Sequence, residues 1–121
     1  SSFNKIKFNG LDYCPTASFK LLKQAYDTAA KRGIEAHVGS IISSDTFYSD
    51  DPDYWKIWMA YGILAVEMEA AALYTLAARF KVNALAIMTV SDSLVTEAAE
   101  SSEAREKSYT QMIEIALGLA G

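Results

Sequence analysis

Cysteine is almost missing from this sequence. Cys14 is the only one in 121 residues, so no intrachain disulfide can form and the fold does not draw on an oxidising compartment. The expected location is the cytoplasm. Histidine is as scarce: His37 stands alone, with no second His or Cys near it, which leaves no zinc constellation to build. No apolar run approaches the roughly 20 residues that a membrane-spanning helix needs. Basic clusters are absent too. The 11 Lys and Arg are scattered among 15 Asp and Glu, for a formal charge of −4, which excludes the phosphate-neutralising surface of a nucleic-acid binder. The opening Ser1-Ser2-Phe3-Asn4-Lys5-Ile6 has neither an initiator Met nor a basic segment leading into an apolar one, the pattern expected of a chain that begins in mid-protein. Repeats, low-complexity tracts and Ser/Gly linkers are also lacking, so the chain is expected to be one unit.

What is present is globular: hydrophobic residues make up 51% of the chain and aromatic residues 12% of it, enough to bury roughly two-thirds of the unfolded surface at this length. Residues 3–8 alternate apolar and polar and predict a short strand ended by Asn9-Gly10. Thr16 is the expected cap of a helix over 17–31, with Phe19, Leu22, Tyr26, Ala29 and Ala30 on its apolar face and Gly33 as its stop. A strand is expected at 35–43. A polar loop over 44–53 carries Phe47 and Tyr48, and Asp53 is placed to cap an aromatic helix over 54–61. A short strand at 63–66 then leads into a helix over 67–80, which is apolar on nearly every side and so expected in the interior. Residues 83–90 form a continuous apolar run of the kind a strand buried on both faces shows. After a polar stretch at 93–100, Ser101 or Ser102 caps a last helix running to about 119. Helix alternating with strand is an α/β rhythm.

Three features carry possible chemistry. Glu67 and Glu69 are expected in the first turn of an otherwise apolar helix, where the helix dipole favours carboxylates in any case. Residues two apart point about 200° apart, however, so both cannot lie on one solvated face. Asp92 follows the apolar 83–90 run, at the C-terminal end of a strand, where ligand crevices of α/β sheets open. A turn-capping Asp is the ordinary alternative. Arg105 shares a stripe with Tyr109, Met112 and Ala116, and a partly buried guanidinium calls for a carboxylate partner, Asp92 or Glu69. His37 reads as a strand residue without a chemical role, Cys14 has nothing nearby to make it a thiolate, and Tyr54, Trp55, Trp58 and Tyr61 read as packing or an interface.

Val66-Glu67-Met68-Glu69-Ala70-Ala71-Ala72, followed after a helix and a strand by Thr89-Val90-Ser91-Asp92, resembles the paired signature of the hexameric purine nucleoside phosphorylases, within the nucleoside phosphorylase and nucleosidase superfamily. Val38-Gly39-Ser40 leading to Ser44-Asp45-Thr46-Phe47-Tyr48-Ser49, then Tyr61-Gly62-Ile63-Leu64, Glu103-Ala104-Arg105-Glu106 and Met112-Ile113-Glu114-Ile115-Ala116-Leu117 agree with it. The likeness covers essentially all 121 residues. It implies an α/β fold, the C-terminal part of a three-layer αβα phosphorylase domain with a central mixed sheet, residues 1–121 forming its C-terminal half. It also implies the activity: reversible phosphorolysis of purine (deoxy)ribonucleosides to free base and (deoxy)ribose 1-phosphate. Glu69, with the Met68 backbone and help from Glu67, would bind the ribose hydroxyls, and Met68 would pack beneath the sugar. Phe47 and Val66 would line the purine site, with Ser91 at its edge. Asp92 would be the general acid at purine N7, and Arg105 would swing against it as the last helix closes. No metal or cofactor is implied, inorganic phosphate being a co-substrate, and the assembly implied is a homohexamer built as a trimer of dimers.

Two departures accompany the likeness. Ser93 stands where the family usually has His, and the family's glycine-rich phosphate loop, phosphate-binding arginines and subunit-lent segments have no counterpart in these residues. The 13-residue interval between Asp92 and Arg105 favours the phosphorylase branch of the superfamily; the alternatives are a hydrolytic purine nucleosidase of the same superfamily and an inactive fragment acting only as a binding or assembly module.

Overall fold

The computed structural model describes residues 2–96 and 100–120. Five helices and two strands are assigned among them, in the order α1 (Ser2–Lys7), α2 (Phe19–Lys31), β1 (Ile41–Ser43), α3 (Trp55–Ala60), β2 (Ala65–Glu67), α4 (Ala70–Phe80) and α5 (Ser102–Leu119). The alternation expected for an α/β chain is present. The elements group into two compact units, one built from residues up to Ser18 together with Gly39–Leu85, the other from Phe19–Val38 together with residues from Ala86 on.

In the first unit β1 and β2 lie parallel, with Ile41 opposite Ala65, Ile42 opposite Val66 and Ser43 opposite Glu67. Parallel neighbours need a crossover, and the segment bearing α3 supplies it. Hydrogen bonds continue the pairing past both ends, from the Leu64 N–H to the Ser40 carbonyl at 2.9 Å and from the Ser44 N–H to the Glu67 carbonyl at 2.8 Å. α1 packs on α4. At that contact the Thr75 hydroxyl donates to Asn4 Oδ1 at 2.9 Å, and both side chains are buried.

Several local expectations are corrected here. Residues 3–8 are not a strand but part of α1, continued by a turn. The alternation misled because Asn4 is the residue taken inside, to meet Thr75, while Ile6 is left 80% exposed. Asn9-Gly10 does end the element, as a helix cap: Asn9 is left-handed, and the Gly10 N–H reaches back to the Lys5 carbonyl at 2.8 Å, the Schellman closure. The strand expected at 35–43 contracts to Ile41–Ser43, and that at 63–66 moves to Ala65–Glu67. Asp53 caps nothing through its side chain; α3 has no side-chain cap, and Asp53 instead pairs with Lys56 at 2.9 Å. α4 is not interior on all sides. Ala70, Thr75 and Ala77 are buried, but Leu73, Leu76 and Phe80 are exposed, because α1 and β1 cover one face only. Residues 83–90 form no strand among the described residues, and Met88 and Val90 stay exposed. An apolar run becomes a central strand only where neighbouring strands bond it on both edges.

In the second unit α2 packs on α5. The face of α2 that is covered carries Ala25 and Ala29, while Phe19 and Tyr26 of the expected face are exposed. Small residues suit a close helix pair, and Gly118 on α5 sits where an added Cβ would touch Thr28. Ile115 is buried on the α5 side, and Arg32 joins Glu114 at 2.6 Å. α2 opens at Phe19 instead of next to Thr16 and ends at Gly33 as expected, with φ +66°. Of the polar stretch 93–100, residues 97–99 lie outside those described. No described helix is long and apolar enough to cross a membrane.

Candidate active site

The residues singled out from sequence fall in both units. Phe47, Val66, Glu67, Met68 and Glu69 belong to the first; Ser91, Asp92 and Arg105 to the second.

In the first unit, the two glutamates do not enter α4 together. Glu67 is the last residue of β2, and Glu69 is the N-cap residue of α4. A helix start leaves its first backbone N–H groups without partners inside the helix, and an N-cap side chain is the usual acceptor. Glu69 does not take that part: it makes no side-chain cap. Glu67 takes it. Its Oε2 accepts the N–H groups of Glu69 and Ala70, each at 2.6 Å, while its Oε1 accepts the Ser43 hydroxyl across the strand pair. The Ser43 oxygen in turn accepts the Ala71 N–H at 2.9 Å. The half-buried Glu67 is thereby committed to protein donors, and the exposed Glu69 carboxylate has no hydrogen-bond or ion-pair partner among the described residues.

Beside them Met68 and Val66 are partly open, and Phe47 lies edge-on to Tyr48 with ring centroids 4.8 Å apart. The loop bearing Phe47 is tied down locally. Ser44 Oγ accepts the Thr46 N–H at 3.2 Å, and the Ser2 backbone N–H donates to Asp45 at 2.7 Å. That backbone donor holds the Asp45 carboxyl below its ordinary range, since a hydrogen bond to the charged form favours it.

In the second unit, Ser91 donates to Asp92 Oδ2 at 2.9 Å. The Ser91 carbonyl accepts the Glu100 N–H at 3.1 Å, which pins the two ends of the intervening segment. Ser101 then caps α5, accepting the Ala104 N–H at 3.2 Å, and the Arg105 N–H closes on the Ser101 carbonyl at 3.0 Å. The turn after Asp92 is held by its neighbour: Ser93 Oγ accepts the Thr96 N–H at 3.2 Å. The Asp92 carboxylate therefore stays exposed with Ser91 as its partner. Arg105 is half-buried and continues the covered α5 positions Ser108, Met112 and Ile115, whereas Tyr109 and Ala116 of the expected stripe are exposed. Thr89 reaches this helix at Ser108, 3.4 Å from its carbonyl. Asp92 and Arg105 form no ion pair within 4.0 Å.

Ser43 was not singled out from sequence. A serine ending a short strand carries no local signal, and only the β1–β2 register sets it opposite Glu67. Among the described residues no three His, Cys, Asp or Glu side chains are grouped to hold a metal ion.

The profile of the phosphorylase superfamily matches residues 4–119. The chain is 61% identical over 120 residues to a DeoD-type purine nucleoside phosphorylase of Thermoanaerobacter sp. (strain X514), an alignment covering 99% of this chain and 52% of that relative. A protein of the same name from Caldanaerobacter subterraneus subsp. tengcongensis matches at 61% over the same shares. Another, from Clostridium perfringens (strain SM101 / Type A), is 57% identical, with 99% and 51% covered. The chain spans about half the length of the curated relatives it matches.

Proposed function

The chain belongs to the phosphorylase superfamily, and we propose that it supplies the sugar-holding and base-protonating residues of a purine nucleoside phosphorylase, as the C-terminal half of that domain. The observation that carries this reading is the division of labour at the start of α4: Glu67 and Ser43 cap the helix, which leaves Glu69 free to accept hydrogen bonds from two ribose hydroxyls. The name shared by relatives at 61% identity supports the purine nucleoside as substrate.

Breaking an N-glycosidic bond leaves an electron pair on the purine and positive character on the ribose, so the site must favour both. A phosphate oxygen attacks C1′ as the bond to N9 breaks, and the pair withdrawn into the purine is neutralised by a proton placed on N7. Asp92 delivers that proton. Arg105, arriving as the last helix closes, drives the proton to the base. Glu69 and the Met68 backbone hold the sugar, Phe47 and Val66 flank the base, and Ser91 orients Asp92. Inorganic phosphate is the co-substrate, held by residues outside this chain, with no metal or organic cofactor. A cytoplasmic homohexamer, a trimer of dimers, is the assembly proposed.

The test is release of purine from inosine and adenosine by the full-length protein. Activity that requires phosphate supports the reading, and equal activity without phosphate makes the protein a hydrolase. Asp92→Asn is expected to lower kcat by about a hundredfold or more; wild-type turnover in that variant removes Asp92 from the acid role.

A further inference from the structure

A hydroxyl that both donates and accepts at the mouth of a ligand-binding helix can set the position of a residue it never touches. We infer that Ser43 is a positioning residue for nucleoside binding: by bridging Glu67 and the Ala71 N–H it fixes the start of α4 and so the placement of Glu69. The inference rests on the sugar-binding role proposed above for Glu69.

Ser43 closes β1, and Glu67 closes β2 directly opposite it. The Ser43 proton goes to Glu67 Oε1, which turns Oε2 toward the N–H groups of Glu69 and Ala70. The Ser43 oxygen receives the next N–H, that of Ala71. One hydroxyl and one carboxylate thus satisfy three consecutive backbone donors, the N–H groups of Glu69, Ala70 and Ala71, and they tie the first turn of α4 to both strands. A carboxylate near a helix N-terminus is favoured by the dipole, so without this arrangement the nearest acceptor for those donors is the side chain of Glu69 itself. Loss of the Ser43 hydroxyl frees the Ala71 N–H and lets the Glu67 carboxylate rotate. Glu69 can then fold back onto its own helix, occupied by the cap it is normally spared. The expected defect is therefore in holding the sugar, with phosphate binding untouched.

In the full-length protein, Ser43→Ala is expected to raise the nucleoside KM by about tenfold, as a displaced binding group does, with the phosphate KM unchanged and kcat altered less. Ser43→Thr, which restores a hydroxyl, is expected to return most of the lost affinity. Should Ser43→Ala fail to fold, Ser43→Cys, a weaker donor of similar size, reports the same pattern at smaller amplitude. In a Glu69→Gln background, removing the Ser43 hydroxyl is expected to change the nucleoside KM little, because the residue it positions is already impaired. Effects that multiply in that double variant, or a wild-type nucleoside KM in Ser43→Ala beside a defective Glu69→Gln, overturn the positioning role. A wild-type nucleoside KM in Glu69→Gln alone overturns the sugar-binding reading first, and the positioning role with it.

Discussion

The Glu67 carboxylate accepts the backbone N–H of Glu69 two residues further on, at 2.6 Å, so one glutamate of the pair is spent on the chain and the other is released from it. Replacing Glu67 by Ala strands the N–H groups of Glu69 and Ala70 together with the Ser43 hydroxyl. That change is expected to cost about 2 kcal/mol, the loss of a helix cap plus unpaired donors. Urea unfolding of Glu67→Ala beside Glu69→Ala checks it: the first is expected to be clearly destabilised and the second close to wild type. The reverse order contradicts the assignment of the cap.

Thr75 and Asn4 meet in the buried contact between α1 and α4. Thr75→Val keeps the shape and removes the donor, leaving Asn4 Oδ1 buried without it, at an expected cost of about 1 to 2 kcal/mol. Replacing both, Thr75→Val with Asn4→Leu, is expected to recover part of that loss. A double-mutant cycle by thermal denaturation measures the coupling, and additive effects would show that the two side chains do not depend on each other.

Lys81 ends α4 in the left-handed region, φ +55°, with the Val82 N–H bonded to the Ala77 carbonyl at 3.0 Å. Gly62 fills the same place after α3, where no Cβ is strained. Lys81→Gly is therefore expected to stabilise the protein by about 1 kcal/mol, read as a raised unfolding midpoint. A lowered midpoint would mean that the lysine side chain contributes more than its backbone strain costs.

The Asp45 carboxyl is held low by the Ser2 backbone N–H. A depressed carboxyl stabilises the fold above its unfolded value, and that contribution fades as pH falls through the folded one. Asp45 is solvent-exposed, so the effect belongs in its own titration and not in global stability. NMR titration is expected to find its midpoint below that of an ordinary aspartate. Ser2→Pro removes the donor at a first helical position that tolerates proline, and an unmoved midpoint in that variant would assign the shift to another cause.

A purine nucleoside already methylated at N7 carries the positive charge that Asp92 is proposed to create. Asp92→Asn is therefore expected to lose far less activity on 7-methylinosine than on inosine, and Arg105→Ala to follow the same pattern. Equal losses on both substrates would place these residues in binding instead of proton delivery.

The α/β rhythm, the last helix with its Ser101 cap and the stop at Gly33 were legible in the sequence, because caps and helical spacing act over a few residues. Membership of the family was legible as well, through the motifs around Glu67 and Asp92. Local pattern failed where distant partners decide. Asn4 went inside because Thr75, 71 residues away, had a proton to give it. α2 buried its alanines and not its aromatics because α5 needed a close approach. The roles within the glutamate pair were likewise beyond sequence, since Glu67 becomes a cap only when the strand register sets Ser43 opposite it. Spacing names the groups that can do chemistry; the choice of which is free to do it belongs to hydrogen bonds between segments that the chain holds far apart.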